Sequence, residues 1–247
     1  MSLIKICNLY LNDITWVNAS ACTFSVNDTV DVWRINVSSN LSNINTFLAI
    51  MQPDEITRAD RYFHARDKNR FIISRGALRN ILGKYLNVEL CTIEFEIGIN
   101  KKPYIKSTAN NNIYYNISHS GDWILLAISN SEIGADTELV NNTYSFNDIL
   151  PGNFSTNEID YINKTTSIER FFMLWTRKEA LTKATGKGLD GDLKLIPCLD
   201  GAHITQSSAI SSTDDWLIST FKLSENYFAS VASGPKAGKI RFLDIYF

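Results

Sequence analysis

The sequence predicts an α+β protein made of two similar halves, and three observations carry that prediction. Residues 170–189 place Phe171, Leu174 and Leu181 on one helical stripe. Strand-like alternation recurs between the helical stretches. Several features also return at one offset. Ala77-Leu78 and Gly83-Lys84 reappear as Ala180-Leu181 and Gly186-Lys187, 103 residues later, and Gly98 has Gly201 at the same distance. DWILLAIS, ending at Ser129, is echoed by NYFASVAS, ending at Ser233, 104 residues on. Each half thus reads helix, hairpin, strand. The halves meet near residues 130–135, which divides the chain into 1–132 and 133–247, and a site is expected at the junction.

In chain order, residues 3–11 and 30–37 are strand-like runs. SSNLSNIN reads as a loop leading to a short helix at 46–51, and Pro53 suits a first helical turn. From there to Tyr85 the pattern is helical and basic, with Arg58, Arg61, Arg66, Lys68, Arg70, Arg75 and Arg79. Such a helix is either a solvated face or an anion platform, since guanidinium groups bind phosphate bidentately. CTIEFEIGINKKPYI alternates on both sides of Gly98-Ile99-Asn100, which predicts a hairpin with Lys101-Lys102-Pro103 on its return strand. Residues 116–129 read as a turn-rich start feeding a buried strand. Residues 131–139 form another short strand, and 141–157 a polar loop. The helix at 170–189 is stopped by Gly186-Lys187-Gly188, because glycine accepts the left-handed C-terminal conformation.

Composition bounds the function. With 247 residues, 45% hydrophobic and 20% charged, the chain can bury a substantial core. A net charge of −2 gives no global field toward nucleic acid or anionic membrane, so neither is expected as a partner. No basic segment followed by a long apolar core marks a secretion signal, and no apolar run of about 18 residues suggests a membrane span. Cys7, Cys22, Cys91 and Cys198 lack metal-ligand spacing and read as buried reduced thiols of a cytoplasmic protein.

Chemistry concentrates in three stretches. In IGADTEL (133–139) the strand period of two puts Gly134, Asp136 and Glu138 on one face, the carboxylates about 7 Å apart along the strand. Neighbouring acids repel unless a cation joins them, and a hard divalent ion such as Mg²⁺ takes few carboxylates plus phosphate oxygens. A solvated edge strand bearing acids is the alternative. NISHSG (116–121) offers hydroxyls, an imidazole and a glycine, a set suited to phosphate but also to a simple turn. On the last helix, Phe172, Trp175, Glu179 and Lys183 form a second stripe, in which an acid and a base continue an aromatic line.

Together NISHSG, GADTE and FFMLWTRKEALTKATGKGL resemble the 4′-phosphopantetheinyl transferase family, specifically its surfactin-synthetase-activating type. The family pattern is N-[IL]-S-H-S, then G-[IV]-D-[IV]-E, then F-[FY]-x-x-W-x-x-K-E-A-x-x-K-x-x-G-x-G-L. Ala135 and Thr137 depart from the usual aliphatics, and the usual G-K-P stands as Lys101-Lys102-Pro103. The resemblance spans roughly residues 30–235. It implies the family's fold of two halves in a pseudo-two-fold arrangement. It also implies transfer of phosphopantetheine from coenzyme A to a serine of an apo acyl or peptidyl carrier protein, with release of adenosine 3′,5′-bisphosphate. By motif position Asp136, Glu138 and Glu179 would hold Mg²⁺, and Glu179 and Lys183 would be the catalytic pair. Arg58, Arg70, Lys102, Ser118, His119 and Lys183 would contact coenzyme A phosphates, Arg58 and Arg70 its 3′-phosphate. Trp175 would pack. A monomer acting as its own pseudo-dimer is expected. The competing readings are a non-catalytic carrier-binding module of the same fold and another Mg²⁺-dependent phosphotransferase or pyrophosphatase.

Overall fold

Alternating burial along LIKICNLY gives β1 (Leu3–Tyr10), with Ile4 and Ile6 pointing inward. A three-residue β2 (Trp16–Asn18) and the apolar β3 (Thr29–Asn36) follow. The computed structural model describes residues 2–27, 29–98, 101–106, 112–188 and 192–247. SSNLSN, expected as a loop, is a 3₁₀ turn leading into α1 (Ile44–Leu48). The basic stretch is two helices rather than one. Pro53 opens α2 (Pro53–Ala59), the chain breaks over 60–64, and α3 (Ala65–Leu86) runs on to Asn87 in the left-handed conformation. The predicted hairpin forms as β4 (Phe95–Ile97) and β5 (Pro103–Ile105), paired antiparallel. Its turn residues Ile99 and Asn100 lie outside the described residues, as does Leu189.

NISHS is not a turn. It is the second part of a strand, β6 (Tyr114–Ser120), joined to β7 (Trp123–Ser129) through Gly121-Asp122. β8 (Ile133–Leu139) carries the two acids. The supposed polar loop beyond it contains α4 (Leu150–Asn153) and the start of α5 (Thr156–Ile162). Phe146, Leu150 and Phe154 explain that departure, because they pack around Phe171 in one buried cluster. The long helix is α6 (Ser167–Thr185), ended by Gly186 at φ +67°. Phe171, Leu174 and Leu181 are buried as expected, and the Trp175 ring stacks on Phe171 at 5.8 Å. The chain finishes with β9 (Gly201–Gln206), β10 (Trp216–Ser224), β11 (Tyr227–Ser233) and β12 (Lys239–Asp244).

The strands form two five-stranded sheets, β8-β11-β10-β1-β9 and β2-β12-β3-β7-β6. Both are mixed, since β1 runs parallel to β10 and β12 runs parallel to β2 and β3. The triplets β3-β7-β6 and β8-β11-β10 place first, last and middle strand in the same order. The division at 132/133 is not a division between sheets. N-terminal β1 lies in the sheet of the later strands, and C-terminal β12 in the sheet of the earlier ones. α6 packs on β8 and β11. No helix among the described residues is long and apolar enough to cross a membrane. Cys22 and Cys198 are buried, but Cys7 is only half-buried and Cys91 is exposed; all four are free thiols.

The 103-residue offset reappears in two buried ion-pair nodes that the sequence reading missed. Glu55 accepts the Gln52 amide at 2.9 Å, Arg75 Nε at 2.7 Å and Arg79 Nε at 2.8 Å. Arg79 then donates to Leu90 O and Ile93 O. Glu158 accepts the Ser155 amide at 2.9 Å and Lys178 Nζ at 3.0 Å, and Lys178 donates to Leu193 O and Ile196 O. Each acid closes the first turn of its helix as a capping box while anchoring the next helix to the loop beyond it. Burial alone would raise the Glu55 pKa, but Arg75, Arg79 and the Gln52 amide hold it below the ordinary glutamate value. The stability Glu55 supplies is therefore present above its unfolded pKa of about 4.3 and lost as pH falls through the lower folded value. Urea midpoints measured from pH 6 down to about pH 3 are expected to fall more steeply for wild type than for Glu55→Gln. Parallel curves would contradict the assignment.

Candidate active site

Gly134 sets the geometry of the site. A Cβ there would lie 2.0 Å from Ala180 O and 2.3 Å from Ala184 N, so only glycine lets α6 rest directly on the β8 backbone. That close approach lowers Glu179 and Lys183 onto the strand face that carries Asp136. Lys183 Nζ lies 2.5 Å from Asp136 Oδ1, 3.4 Å from Glu179 Oε2 and 3.2 Å from Ser118 Oγ. Ser118 Oγ donates to Asp136 Oδ1 at 2.9 Å, and Ser120 Oγ to Glu138 Oε2 at 2.8 Å. On the opposite face Ala135 and Thr137 are buried, and Thr137 Oγ1 donates to Phe228 O, so the departure from bulky aliphatics leaves no unpaired hydroxyl.

Burial pushes the Asp136 carboxyl upward, Lys183 opposes that, and Glu179 and Glu138 add to it. Burial likewise raises Glu138, with Glu179 contributing. Burial would lower the Lys183 ammonium, but Asp136 and Glu179 outweigh it and raise its pKa, so it is charged at neutral pH. Asp136 Oδ2 is buried and has no hydrogen-bond partner. Leaving such an oxygen unpaired costs about 1–3 kcal/mol, more for a charge. Among the described residues no three carboxylate, imidazole or thiol groups already converge tightly enough to enclose an ion. Lys183 stands among the acids instead. The donor set, three carboxylates with one orphaned buried oxygen, fits a hard divalent ion such as Mg²⁺.

A cleft of about 290 Å³ opens beside Glu179 and Lys183, walled by Lys101, Lys102, Ile117 and Gly186. Three larger clefts, one near Tyr161 and two near Asp214, are lined by none of the cluster residues. His119 extends from β6 beside the cluster. His119 is exposed, yet partial desolvation, together with Arg70 and Lys183, holds its imidazole below the ordinary value. Arg70 donates to Asp67 at 2.7 Å and reaches Gly121 O at 3.4 Å, which brings α3 to the turn after β6. Arg58 lies apart on exposed α2, its guanidinium 5.2 Å over the Phe71 ring.

Two expected phosphate contacts are already engaged within the protein. Lys102 Nζ donates to Ala184 O at 2.6 Å and Ile133 O at 3.3 Å, and pairs with Glu132 at 2.5 Å. It thus braces the C-terminal end of α6 against the start of β8, where a cation complements the helix dipole. Ser118 is buried and bonded to Asp136, Lys183 and the Thr137 amide. Sequence reasoning also passed over Asn116, whose Oδ1 accepts the Ala135 amide at 2.9 Å. The alternation Asn116, Ser118, Ser120 was the signal that could have found this role.

The structure thus places an acid-and-lysine cluster between a helix and a strand, beside a cleft lined by Lys101, Lys102 and Lys183. Residues 36–131 match the model for the 4′-phosphopantetheinyl transferase N-terminal domain, and residues 132–232 match that for the 4′-phosphopantetheinyl transferase superfamily. The chain belongs to the 4′-phosphopantetheinyl transferase superfamily and is an enzyme of that class. It is 29% identical to 4′-phosphopantetheinyl transferase HetI of Nostoc over 88% of this chain and 93% of the relative. It is 27% identical to 4′-phosphopantetheinyl transferase Sfp of Bacillus subtilis over 58% and 63%. With the human L-aminoadipate-semialdehyde dehydrogenase-phosphopantetheinyl transferase it shares 24% identity over 74% and 66%.

Proposed function

We propose that this enzyme transfers 4′-phosphopantetheine from coenzyme A to a serine of an apo acyl or peptidyl carrier protein in a Mg²⁺-dependent reaction that releases adenosine 3′,5′-bisphosphate. The observation that carries the reading is the convergence of Asp136, Glu138, Glu179 and Lys183 on one strand–helix contact, with an orphaned carboxylate oxygen at its centre. Asp136, Glu138 and Glu179 would hold Mg²⁺, which when bound neutralises charge on the pyrophosphate. Lys183 remains protonated at neutral pH and offers a point charge to the same phosphates. Arg70 and His119, on the rim beside it, and Arg58, further out, supply donors to the remaining phosphate groups, and Lys102 flanks the cleft. Glu179 lines the cleft, where its carboxylate could accept the carrier serine's proton. Its chief role in this reading is as a ligand, because a third carboxylate near two others needs a cation to stay ionised.

The reading includes a pseudo-two-fold relation between the halves and a cytoplasmic monomer. The matching strand order and the Glu55 and Glu158 nodes, 103 residues apart, support the first point. The activity is tested by following adenosine 3′,5′-bisphosphate chromatographically with coenzyme A and Mg²⁺, with and without an apo carrier. Release only in the presence of the carrier is expected. Release at the same rate without it would favour a pyrophosphatase and overturn the transferase reading.

A further inference from the structure

β6 and β8 are end strands of different sheets, and no backbone ladder joins them. A side-chain ladder does so instead. Asn116 Oδ1 accepts the Ala135 amide at 2.9 Å, Ser118 Oγ the Thr137 amide at 3.4 Å, and Ser120 Oγ the Leu139 amide at 3.1 Å. The contacts advance two residues at a time on both strands, because alternate side chains of β6 share a face and alternate amides of β8 share an edge. Without them three edge amides of β8 would face a protein surface unpaired.

We infer that Asn116, Ser118 and Ser120 form a positioning comb that fixes β8 in register with β6 and aims the Asp136 and Glu138 carboxylates; the inference rests on the metal-holding role proposed above. Each serine works in both directions. Its oxygen accepts an amide from β8, and its hydroxyl hydrogen goes to the carboxylate one residue earlier on that strand, Asp136 or Glu138. A hydroxyl has one hydrogen and two lone pairs. Ser118 uses all three, on Asp136, the Thr137 amide and Lys183.

The two serines of the comb are not repeated in the other half. At the 103-residue offset, Ser118 and Ser120 correspond to Phe221 and Leu223. Both are buried in an apolar cluster, where Phe221 packs on Phe242 of β12 at 4.8 Å. Hydrocarbon thus fills the positions equivalent to the two serines, while Asn116 corresponds to Ser219, which is also polar and buried.

Ser120 gives the cleanest test, since it is only half-buried and touches neither Lys183 nor Asp136. Ser120→Thr keeps the hydroxyl, and Ser120→Val has the same shape without it. Binding of Mn²⁺, used as the probe, is measured by the loss of its free-ion paramagnetic resonance signal, with thermal melts recorded alongside. The expected result is wild-type affinity for Ser120→Thr and about 10-fold or greater weakening for Ser120→Val, the size of effect seen when a group behind a metal ligand is removed. The two variants should melt within a few degrees of each other. Equal Mn²⁺ affinity in Thr and Val variants overturns the comb and leaves the proposed function standing. Absence of Mn²⁺ binding in wild type overturns both.

Discussion

Asp136→Asn is expected to lower carrier modification by about 100- to 1,000-fold, the scale of removing one well-placed electrostatic group, while raising the stability of the metal-free protein. Asp136 is 1% exposed and one carboxylate oxygen has no partner; burial, aided by Glu179 and Glu138 and opposed by Lys183, raises its pKa to about 7. An acid whose folded pKa exceeds its unfolded value of about 3.9 contributes stability below that value and loses it as pH rises through the folded one. At pH 8 the ionised group is therefore a cost that asparagine removes. The stability gap between variant and wild type should grow from about pH 4 to pH 7, read by urea unfolding without metal. A variant that is less stable at pH 8, or that retains activity, would contradict this placement of Asp136.

Glu158→Ala is expected to destabilise the protein by about 3–5 kcal/mol, because it strands Lys178, which is fully buried, without its counter-charge. The Cys198 amide, 2.9 Å from Glu158 Oε1, and the Ser155 amide lose their acceptor as well. For a chain of this size the melting temperature should drop by roughly 10 °C or more. The paired replacement Glu158→Leu with Lys178→Met is expected to recover much of the loss, since a removed ion pair costs less than a broken one. Differential scanning calorimetry decides the matter: a single-variant loss within about 1 kcal/mol, the worth of an exposed pair, would show that the node is not structural.

The legible parts of this protein are those where one residue pattern has one physical solution. The stripe of Phe171, Leu174 and Leu181 with Gly186 beyond it allows only a helix that stops there, and the structure ends it at Thr185. Gly134, Asp136 and Glu138 share a face in any extended strand. The parts misread are those where composition pointed to the wrong cause. Asn, Ser, His and Gly in NISHSG signal a turn when backbone groups need local partners, but here the side chains satisfy the amides of a distant strand. Residues 141–157 look polar, yet three apolar side chains among them dock on Phe171. The break at 60–64 has no proline or glycine to announce it. Lys102 was expected at a phosphate by motif position; its acceptors within the protein, Glu132, Ile133 and Ala184, lie 30 or more residues away and leave no local signal.

The central claim is that the Asp136, Glu138, Glu179 and Lys183 cluster directs phosphopantetheine onto a carrier serine. Intact mass spectrometry of an apo carrier domain, incubated with the protein, coenzyme A and Mg²⁺, tests it most directly. The account predicts a mass gain of one phosphopantetheine group per carrier, absent when the carrier serine is replaced by alanine and absent with Asp136→Asn. A carrier that keeps its apo mass with wild-type enzyme across several carrier types, or a gain that survives loss of the serine, would contradict it.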